Sequence, residues 1–250
     1  MKKLPIFKIL TGLFFIISII SVSLCGVGYY VYKHIMNKIH DKIGYVAEQQ
    51  MTSAQFLLSN IDYKTERLKL VMFSRDFIKK INNKISYDEA FQIANSNVKW
   101  CEVYPTQDPL FKLALQWQES AFNKEIVSSV GARGLNQIMP YMARILCRGY
   151  GIEFKDKMLD DVDFNNRLSC QLFEEAINMY DKNIELVLAW YNGGPRQVEY
   201  YRSKDERLAE ETKNYIPVIM EKYNKIREEY STYYLDIKSI VPDSSLIRKK

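Results

Sequence analysis

Histidine is almost absent from this chain of 250 residues, which contains only His34 and His40. Both lie directly after the first apolar run, before any stretch whose pattern indicates a compact domain. Serine and cysteine triads need a histidine that takes a proton from the nucleophile. The sequence therefore argues against mechanisms that depend on a histidine base.

Cysteine is also scarce, and the four cysteines stand too far apart for a metal knuckle: they are Cys25, Cys101, Cys147 and Cys170. Neither a metal nor another cofactor is predicted. In an oxidising compartment, two of the last three could form a disulfide and leave one cysteine over. Three buried free thiols are the alternative, and the sequence leaves both open.

The chain lacks a glycine-rich phosphate loop and any nucleic-acid-binding motif. Its formal net charge is +5, and the excess is scattered along the sequence. Such a charge favours anionic surroundings such as membrane headgroups or cell wall. No nucleic-acid partner is expected.

Charge is missing altogether from residues 9–32, ILTGLFFIISIISVSLCGVGYYVY. At about 1.5 Å per residue, a helix of this length crosses a hydrocarbon core roughly 30 Å thick. The flanking lysines favour an N-terminus inside the cell. The run thus predicts a single-pass anchor in the cytoplasmic (inner) membrane, with the remaining chain outside. A cleavable signal peptide is the alternative, since Ser21, Val22 and Ser23 could serve as its cleavage site.

Residues 33–85 contain no proline and a single glycine, Gly44. Their mixed helical spacings predict a helical linker or stalk of two helices, with a break around 59–63. A capping box, Ser86 to Glu89, then predicts the start of a helix that runs to about Asn97. Asp108 and Pro109 supply the cap and first turn of a further helix.

The helix that begins at Pro109 carries one acid, Glu119, in its last turn. On a helical wheel its apolar residues cover more than half of the circumference, which is typical of a buried, central helix. The partial negative charge of a helix C-terminus and partial desolvation both raise the pKa of a carboxyl group. Glu119 is therefore a candidate general acid, although a solvated glutamate on an ordinary amphipathic helix fits the wheel as well.

The remaining chain also has helical patterns. Residues 161–180 and 184–191 are predicted helices, the second ending at an Asn-Gly-Gly-Pro stop. A last long helix is predicted over 206–230, with a loose tail over 230–250. No strand alternation appears after residue 85, so the predicted fold class is all-α.

Four sequence pieces occur in a characteristic order: ES at 119–120, GARGLNQIMP at 131–140, WYNGGP at 190–195 and ETKNYIP at 211–217. Together they resemble the lytic transglycosylases of the soluble type, over roughly residues 86–229. The resemblance implies a lysozyme-like helical domain. It also implies cleavage of the β-1,4 bond between N-acetylmuramic acid and N-acetylglucosamine in peptidoglycan, with formation of 1,6-anhydromuramyl ends.

The resemblance also implies roles for individual residues. Glu119 is the catalytic acid and then the base, and Ser120 forms a hydrogen bond near its carboxylate. The residues expected to contact or line the sugar site are Asn136, Gln137, Tyr191, Asn192 and Tyr215. The family usually has methionine where this chain has Asn136, so that substitution bears on substrate preference. Trp190 stands where the family often has alanine, and core packing is its expected role.

Three alternative functions stay open at this point. A muramidase would use water and a second carboxylate, for which Asp160, Asp161 and Asp163 are candidates, although helix capping explains them as well. A non-catalytic scaffold would hold glycan in the cleft. The stalk at 33–85 could instead be the main functional part, binding a partner in an envelope or secretion machinery.

Overall fold

The structure, a computed structural model, describes the backbone of residues 6–240. Side chains are described for residues 33–233 together with Phe14, Tyr29 and Tyr30. The helices are α1 Ile6–Ile81, α2 Tyr87–Val103, α3 Pro109–Ser120, α4 Pro140–Gly149, a 3₁₀ helix Asp156–Asp160, α5 Val162–Met179, α6 Ile184–Ser203 and α7 Glu210–Ile240. Over the part of the chain so described there is no strand, only two isolated bridges that Arg133 makes with Val127 and Ile138. The all-α prediction is confirmed.

The chain divides into two compact units, Met1–Lys64 and Thr65–Lys250. Of the first unit, the structure describes α1 as far as residue 64. Where side chains are described, no helix is apolar over a long enough stretch to span a membrane. The predicted span at 9–32 lies outside those residues, except for Phe14, Tyr29 and Tyr30.

Helix α1 is continuous through residues 59–63, where a break was predicted. That prediction is wrong because the stretch contains neither proline nor glycine. Its serine and asparagine cost only a few tenths of a kcal/mol each in a helix.

The second unit begins well before the predicted domain start at residue 86. Phe73, Phe77 and Ile78, from the last turns of α1, are buried in one core cluster with residues of α2, α3 and α7. The Phe77 ring packs edge-on against Trp117, with ring centroids 5.4 Å apart. The residues predicted as the end of a stalk are therefore part of this unit's core.

A substitution of Phe77 tests whether the last turns of α1 belong to the core of the second unit. Phe77→Ala is expected to destabilise the second unit by about 3–5 kcal/mol, because it leaves a cavity among buried aromatic rings. The measurement is denaturant unfolding followed by circular dichroism. Phe56→Ala, on the same helix at a position 67% exposed, is the control and should cost less than about 0.5 kcal/mol. Equal effects would place the start of the core after α1.

Helix α3 lies at the centre of this unit, as its wide apolar arc predicts. Seven consecutive residues, 110–116, are buried. Asp108 caps the helix by accepting a hydrogen bond of 2.8 Å from the amide of Leu110. Ser86 caps α2 in the same way, accepting from the Glu89 amide at 3.0 Å. The helix starts predicted from these capping residues are confirmed.

The last two helices extend beyond their predicted ends. Helix α6 continues to Ser203 across a break at Gly194, whose φ of 76° and ψ of −175° are not helical. Pro195 follows directly, in a position that suits the first turn of a new helical segment. Helix α7 starts at Glu210 and continues to Ile240, so the predicted tail is helical for its first half. Residues 241–250 lie outside the described residues.

Candidate active site

Glu119 is the penultimate residue of α3, and the helix ends abruptly after it. Ala121 and Phe122 adopt left-handed backbone conformations, with φ of 46° and 63°. Such conformations cost free energy in residues that carry a side chain. Here the Phe122 side chain, fully buried beside Phe77, offsets that cost. The chain therefore turns into the core at once, and Glu119 stays at the edge of a cleft.

The loop after α3 forms one wall of this cleft. Arg133 and Ile138 exchange two backbone hydrogen bonds, of 3.0 and 3.1 Å, which close a tight turn around Gly134 and Gln137. Gly134 has a φ of +82°, and a Cβ there would lie 2.2 Å from the Leu159 carbonyl oxygen. Only glycine fits this position, where the loop packs against the 3₁₀ helix.

Two polar contacts hold the loop in place. Ser120 Oγ donates a hydrogen bond of 2.8 Å to the Leu135 carbonyl, which ties α3 to the loop. On the far side, Arg133 forms a bidentate pair with Asp160, with N–O distances of 2.6 and 2.5 Å. Ser120, which directly follows Glu119, thus supports the wall of the cleft through its hydrogen bond to the Leu135 carbonyl.

The Glu119 carboxylate accepts a hydrogen bond from the Tyr215 hydroxyl of α7. Burial raises the pKa of Glu119 to about 7, and the nearby Glu211 carboxylate acts in the same direction. The Tyr215 hydrogen bond and the charges of Lys112 and Lys222 oppose that rise. Near neutral pH, Glu119 can therefore donate a proton in one step and accept one in another.

A substitution of Tyr215 tests which interactions set the pKa of Glu119. Because its hydrogen bond favours the carboxylate, Tyr215→Phe should raise the pKa of Glu119. Activity that needs protonated Glu119 falls as pH rises through that pKa, so the fall should move about one to two units upward. The pH–rate profile checks this, with the exposed Tyr87→Phe as the control. A fall that stays at the same pH in Tyr215→Phe contradicts the assigned hydrogen bond.

Other predicted residues also line the cleft around Glu119, namely Gln137, Tyr191, Asn192 and Tyr215. Gln137 Nε2 donates to the Gly134 carbonyl at 3.0 Å, which holds the side chain against its own loop. Asn192 accepts from Thr212 at 2.6 Å and donates to Glu211 at 3.2 Å. The structure therefore gathers these four residues, from a loop and two helices, around one carboxylate.

The cleft continues into a second cavity next to it. The two share Gln137, Met139, Tyr191 and Asn192. The second cavity is also lined by Trp190, which packs against two core clusters as expected. The two cavities thus form one groove along the loop and α6.

Asn136 does not reach the cleft. Its side chain is fully buried, and Nδ2 donates to Asn165 and Asn166 of α5 at 2.8 and 2.9 Å. The prediction that Asn136 lines the sugar site is wrong because two buried amides on α5 provide hydrogen-bond partners inside the protein. The side chain instead joins the loop to α5.

The three candidate second carboxylates are all engaged away from Glu119. Asp160 pairs with Arg133, and Asp161 caps α5 by accepting from the Phe164 amide at 2.8 Å. Asp163 accepts hydrogen bonds from Ser96, Lys99 and Trp100. The cleft does contain a second acid, Glu211, which sequence reasoning missed. The signal was available, since Glu211 begins the quoted ETKNYIP piece.

The described cysteines, Cys101, Cys147 and Cys170, are buried free thiols. Cys101 and Cys170 form a hydrogen bond between α2 and α5, which raises the pKa of the Cys101 thiol. The side chain of Cys25 lies outside the described residues. Of the two alternatives from the sequence, the structure has the free thiols.

Comparison with known proteins bears on this site. Residues 101–214 match the family model of the Transglycosylase SLT domain. This segment, called the SLT-type segment below, contains all seven predicted site residues except Tyr215, which follows it directly. The predicted resemblance to the soluble-type enzymes is confirmed for it.

Relatives are similar to the chain over a limited part of their length. A putative soluble lytic murein transglycosylase from Haemophilus influenzae is 26% identical over 168 residues, covering 60% of this chain and 27% of that protein. The lytic transglycosylase Slt from Pseudomonas aeruginosa, solved as an inactive mutant, has 25% identity and a TM-score of 0.48, covering 54% of this chain and 24% of that one. SLT70 from Escherichia coli has 19% identity and a TM-score of 0.45, covering 70% and 31%. The chain thus spans about a quarter of the length of the curated relative it matches.

Proposed function

We propose that this protein is a peptidoglycan lytic transglycosylase in which Glu119 is the single catalytic acid and base. The observation that carries the proposal is the placement of Glu119, within the SLT-type segment, at the edge of a groove and bonded to Tyr215. Its pKa of about 7 suits both halves of the reaction. Matching a pKa to the working pH in this way favours efficient proton transfer.

In the first step, protonated Glu119 donates its proton to the oxygen between N-acetylmuramic acid and N-acetylglucosamine, and the C–O bond breaks. The neighbouring N-acetyl group assists at the sugar carbon. In the second step, ionised Glu119 takes the proton of the muramyl 6-hydroxyl, whose oxygen closes the 1,6-anhydro ring. The Tyr215 hydrogen bond stabilises the carboxylate between these steps. Gln137 and Asn192 are in position to contact the sugars.

A muramidase is the second candidate, and Glu211 is the observation that favours it. This carboxylate lines the same cleft and raises the pKa of Glu119. Hydrolases of this class use a second carboxylate to activate water. Glu211 already accepts a hydrogen bond from Asn192, so in the proposed transglycosylase it fixes that amide.

Mass spectrometry of soluble muropeptides separates the two candidates. The full chain in detergent is incubated with purified peptidoglycan. Anhydromuramyl products are about 18 Da lighter than hydrolysis products, because no water is added. The lighter products support the proposal, and full-mass reducing ends make the protein a muramidase. Binding of glycan without any product would instead favour a non-catalytic scaffold.

We also propose that residues 9–32 anchor the protein in the cytoplasmic membrane, with the cleft on the outer side where peptidoglycan lies. The support is the uncharged length of this run and the lysines before it. The test is membrane fractionation with intact-mass analysis. Retention in the membrane at full mass supports an anchor, whereas a shortened protein free of the membrane supports a cleaved signal.

A further inference from the structure

A lysine lies inside the core beneath the cleft. Lys112 lies at the end of the first turn of α3 and is 1% exposed. Burial lowers the pKa of its ammonium group, while Cys170, Cys101 and Glu119 act in the opposite direction. Removing an ammonium group from water is costly. A methionine would fill the same space without that cost, so packing alone does not account for Lys112.

Lys112 Nζ starts a chain of hydrogen bonds that ends at the cleft. It donates to Ser169 Oγ of α5. Ser169 Oγ lies 2.9 Å from the Tyr191 hydroxyl. The Tyr191 hydroxyl donates in turn to the backbone carbonyl of Asn136, at 2.8 Å. Asn136 directly precedes Gln137, so the last bond holds the loop that forms the cleft wall.

The two ends fix the direction of every bond in this chain. The Asn136 carbonyl can only accept, so Tyr191 donates to it, and Lys112 Nζ donates to Ser169. The Ser169 hydroxyl proton is then free to go to Tyr191. The proton of Tyr191 is already committed to the Asn136 carbonyl, so Tyr191 accepts from Ser169. Each hydroxyl therefore has one orientation, and the three bonds support one another.

We propose that Lys112 is a positioning residue for the reaction: through Ser169 it holds the Tyr191 hydroxyl on the Asn136 carbonyl and so fixes the loop that forms a wall of the cleft. This inference rests on the proposed function. Lys112 does not touch the substrate. It acts on two elements that do line the cleft, α6 through Tyr191 and the loop through Asn136. Small displacements of such elements lower turnover more than binding.

A double-mutant cycle tests the proposal. Lys112→Met and Tyr191→Phe are made singly and together, and kcat and KM are measured on peptidoglycan strands. Each single change should lower kcat about 10-fold and change KM less than about threefold. The double variant should be no slower than Tyr191→Phe, because both changes break the same chain of bonds. Multiplied effects, near 100-fold, would overturn the proposal.

Two further variants keep this test decisive. Ser169→Ala breaks the chain while Lys112 remains, so it should reproduce the kcat loss even where Lys112→Met does not fold. Lys225→Met, at an exposed lysine of α7, is the matched control and should leave kcat unchanged. Variants that lose thermal stability but keep the wild-type kcat would assign Lys112 a structural role only and overturn the proposal.

A readout without turnover separates this inference from the proposed function. The protein is labelled with ¹⁵N at the side-chain nitrogen of its lysines and studied by NMR. The Nζ resonance that disappears in Lys112→Met belongs to Lys112. Ser169→Ala and Tyr191→Phe should both shift that resonance, whereas Lys225→Met should not. If wild type makes no product, the function fails, yet these shifts still test the chain of bonds. A resonance unmoved by Tyr191→Phe overturns it.

Discussion

Glu119→Gln is expected to lower the rate of anhydromuropeptide release by about 10³-fold, with the fold retained. Glutamine has nearly the same volume and can still accept the Tyr215 hydrogen bond, but it cannot transfer a proton. Both proposed steps pass through this side chain, so both are lost together. The measurement is initial product release by liquid chromatography, at enzyme concentrations high enough to detect the residual rate.

Glu211→Gln is the matched control, because it removes the other carboxylate of the same cleft. If Glu119 works alone, Glu211→Gln should cost less than about 10-fold, through the loosened Asn192. Equal losses in the two variants would indicate a pair of catalytic carboxylates and a hydrolytic mechanism. A Glu119→Gln variant that keeps a tenth of the activity would contradict the assignment of Glu119.

The Glu119→Gln variant should also unfold at a higher temperature than wild type at pH 8. The pKa of Glu119 is raised from 4.5 to about 7 in the folded protein, so the native state holds this proton more tightly than the unfolded state. Stability from Glu119 is therefore lost as pH rises from the lower value through the higher one. Glutamine does not ionise and avoids this loss. Higher stability with lower activity would rule out unfolding as the cause.

Gly134→Ala is expected to destabilise the second unit by about 3–5 kcal/mol, from backbone strain together with overpacking. The residue has a φ of +82°, and its new Cβ would lie 2.2 Å from the Leu159 carbonyl oxygen and 2.3 Å from Asn165 Nδ2. A backbone carbonyl cannot rotate away as a long side chain can. The loop must therefore separate from the 3₁₀ helix or adopt another conformation. Denaturant unfolding measures the loss.

Gly131→Ala separates the cost of backbone strain from the cost of a steric clash with the new Cβ. Gly131 has a similar φ of +90°, but a Cβ there would meet nothing within 4 Å. This control should cost only about 1–2 kcal/mol, from the backbone conformation alone. If the two substitutions cost the same, the close packing of Gly134 against the 3₁₀ helix is not what restricts that position to glycine.

Local chemistry made the central part of the site predictable. The capping residues Asp108 and Ser86 mark where α3 and α2 begin, because a cap depends only on nearby backbone amides. Glu119 was predicted from its position on a helical wheel, and burial does raise its pKa. Gln137, Tyr191, Asn192 and Tyr215 came from the family resemblance, and the structure places all four around the cleft.

Contacts between distant parts of the chain were not predictable in this way. The burial of Asn136 depends on two asparagines of α5, about 30 residues later, whose side chains face inward. The inclusion of Phe77 in the core depends on Trp117 of α3 and on Phe122 in the loop after it. A helical pattern shows which face of α1 is apolar but not what covers it. Likewise, nothing local to Lys112 indicates that its partner is Ser169.

The break at Gly194 divides α6 into two segments that need not open together. The first backbone N–H groups after the break have no carbonyl acceptor one turn earlier, as at any helix start. The first segment is anchored by Leu186, Val187, Leu188 and Ala189, all buried, whereas in the second only Val198 is buried and the other residues are half-buried or exposed. Amide hydrogens of residues 196–203 should therefore exchange with solvent through a smaller, more frequent opening than those of 186–191. Residues 196–203 can thus open while the residues beside Glu119 stay in place.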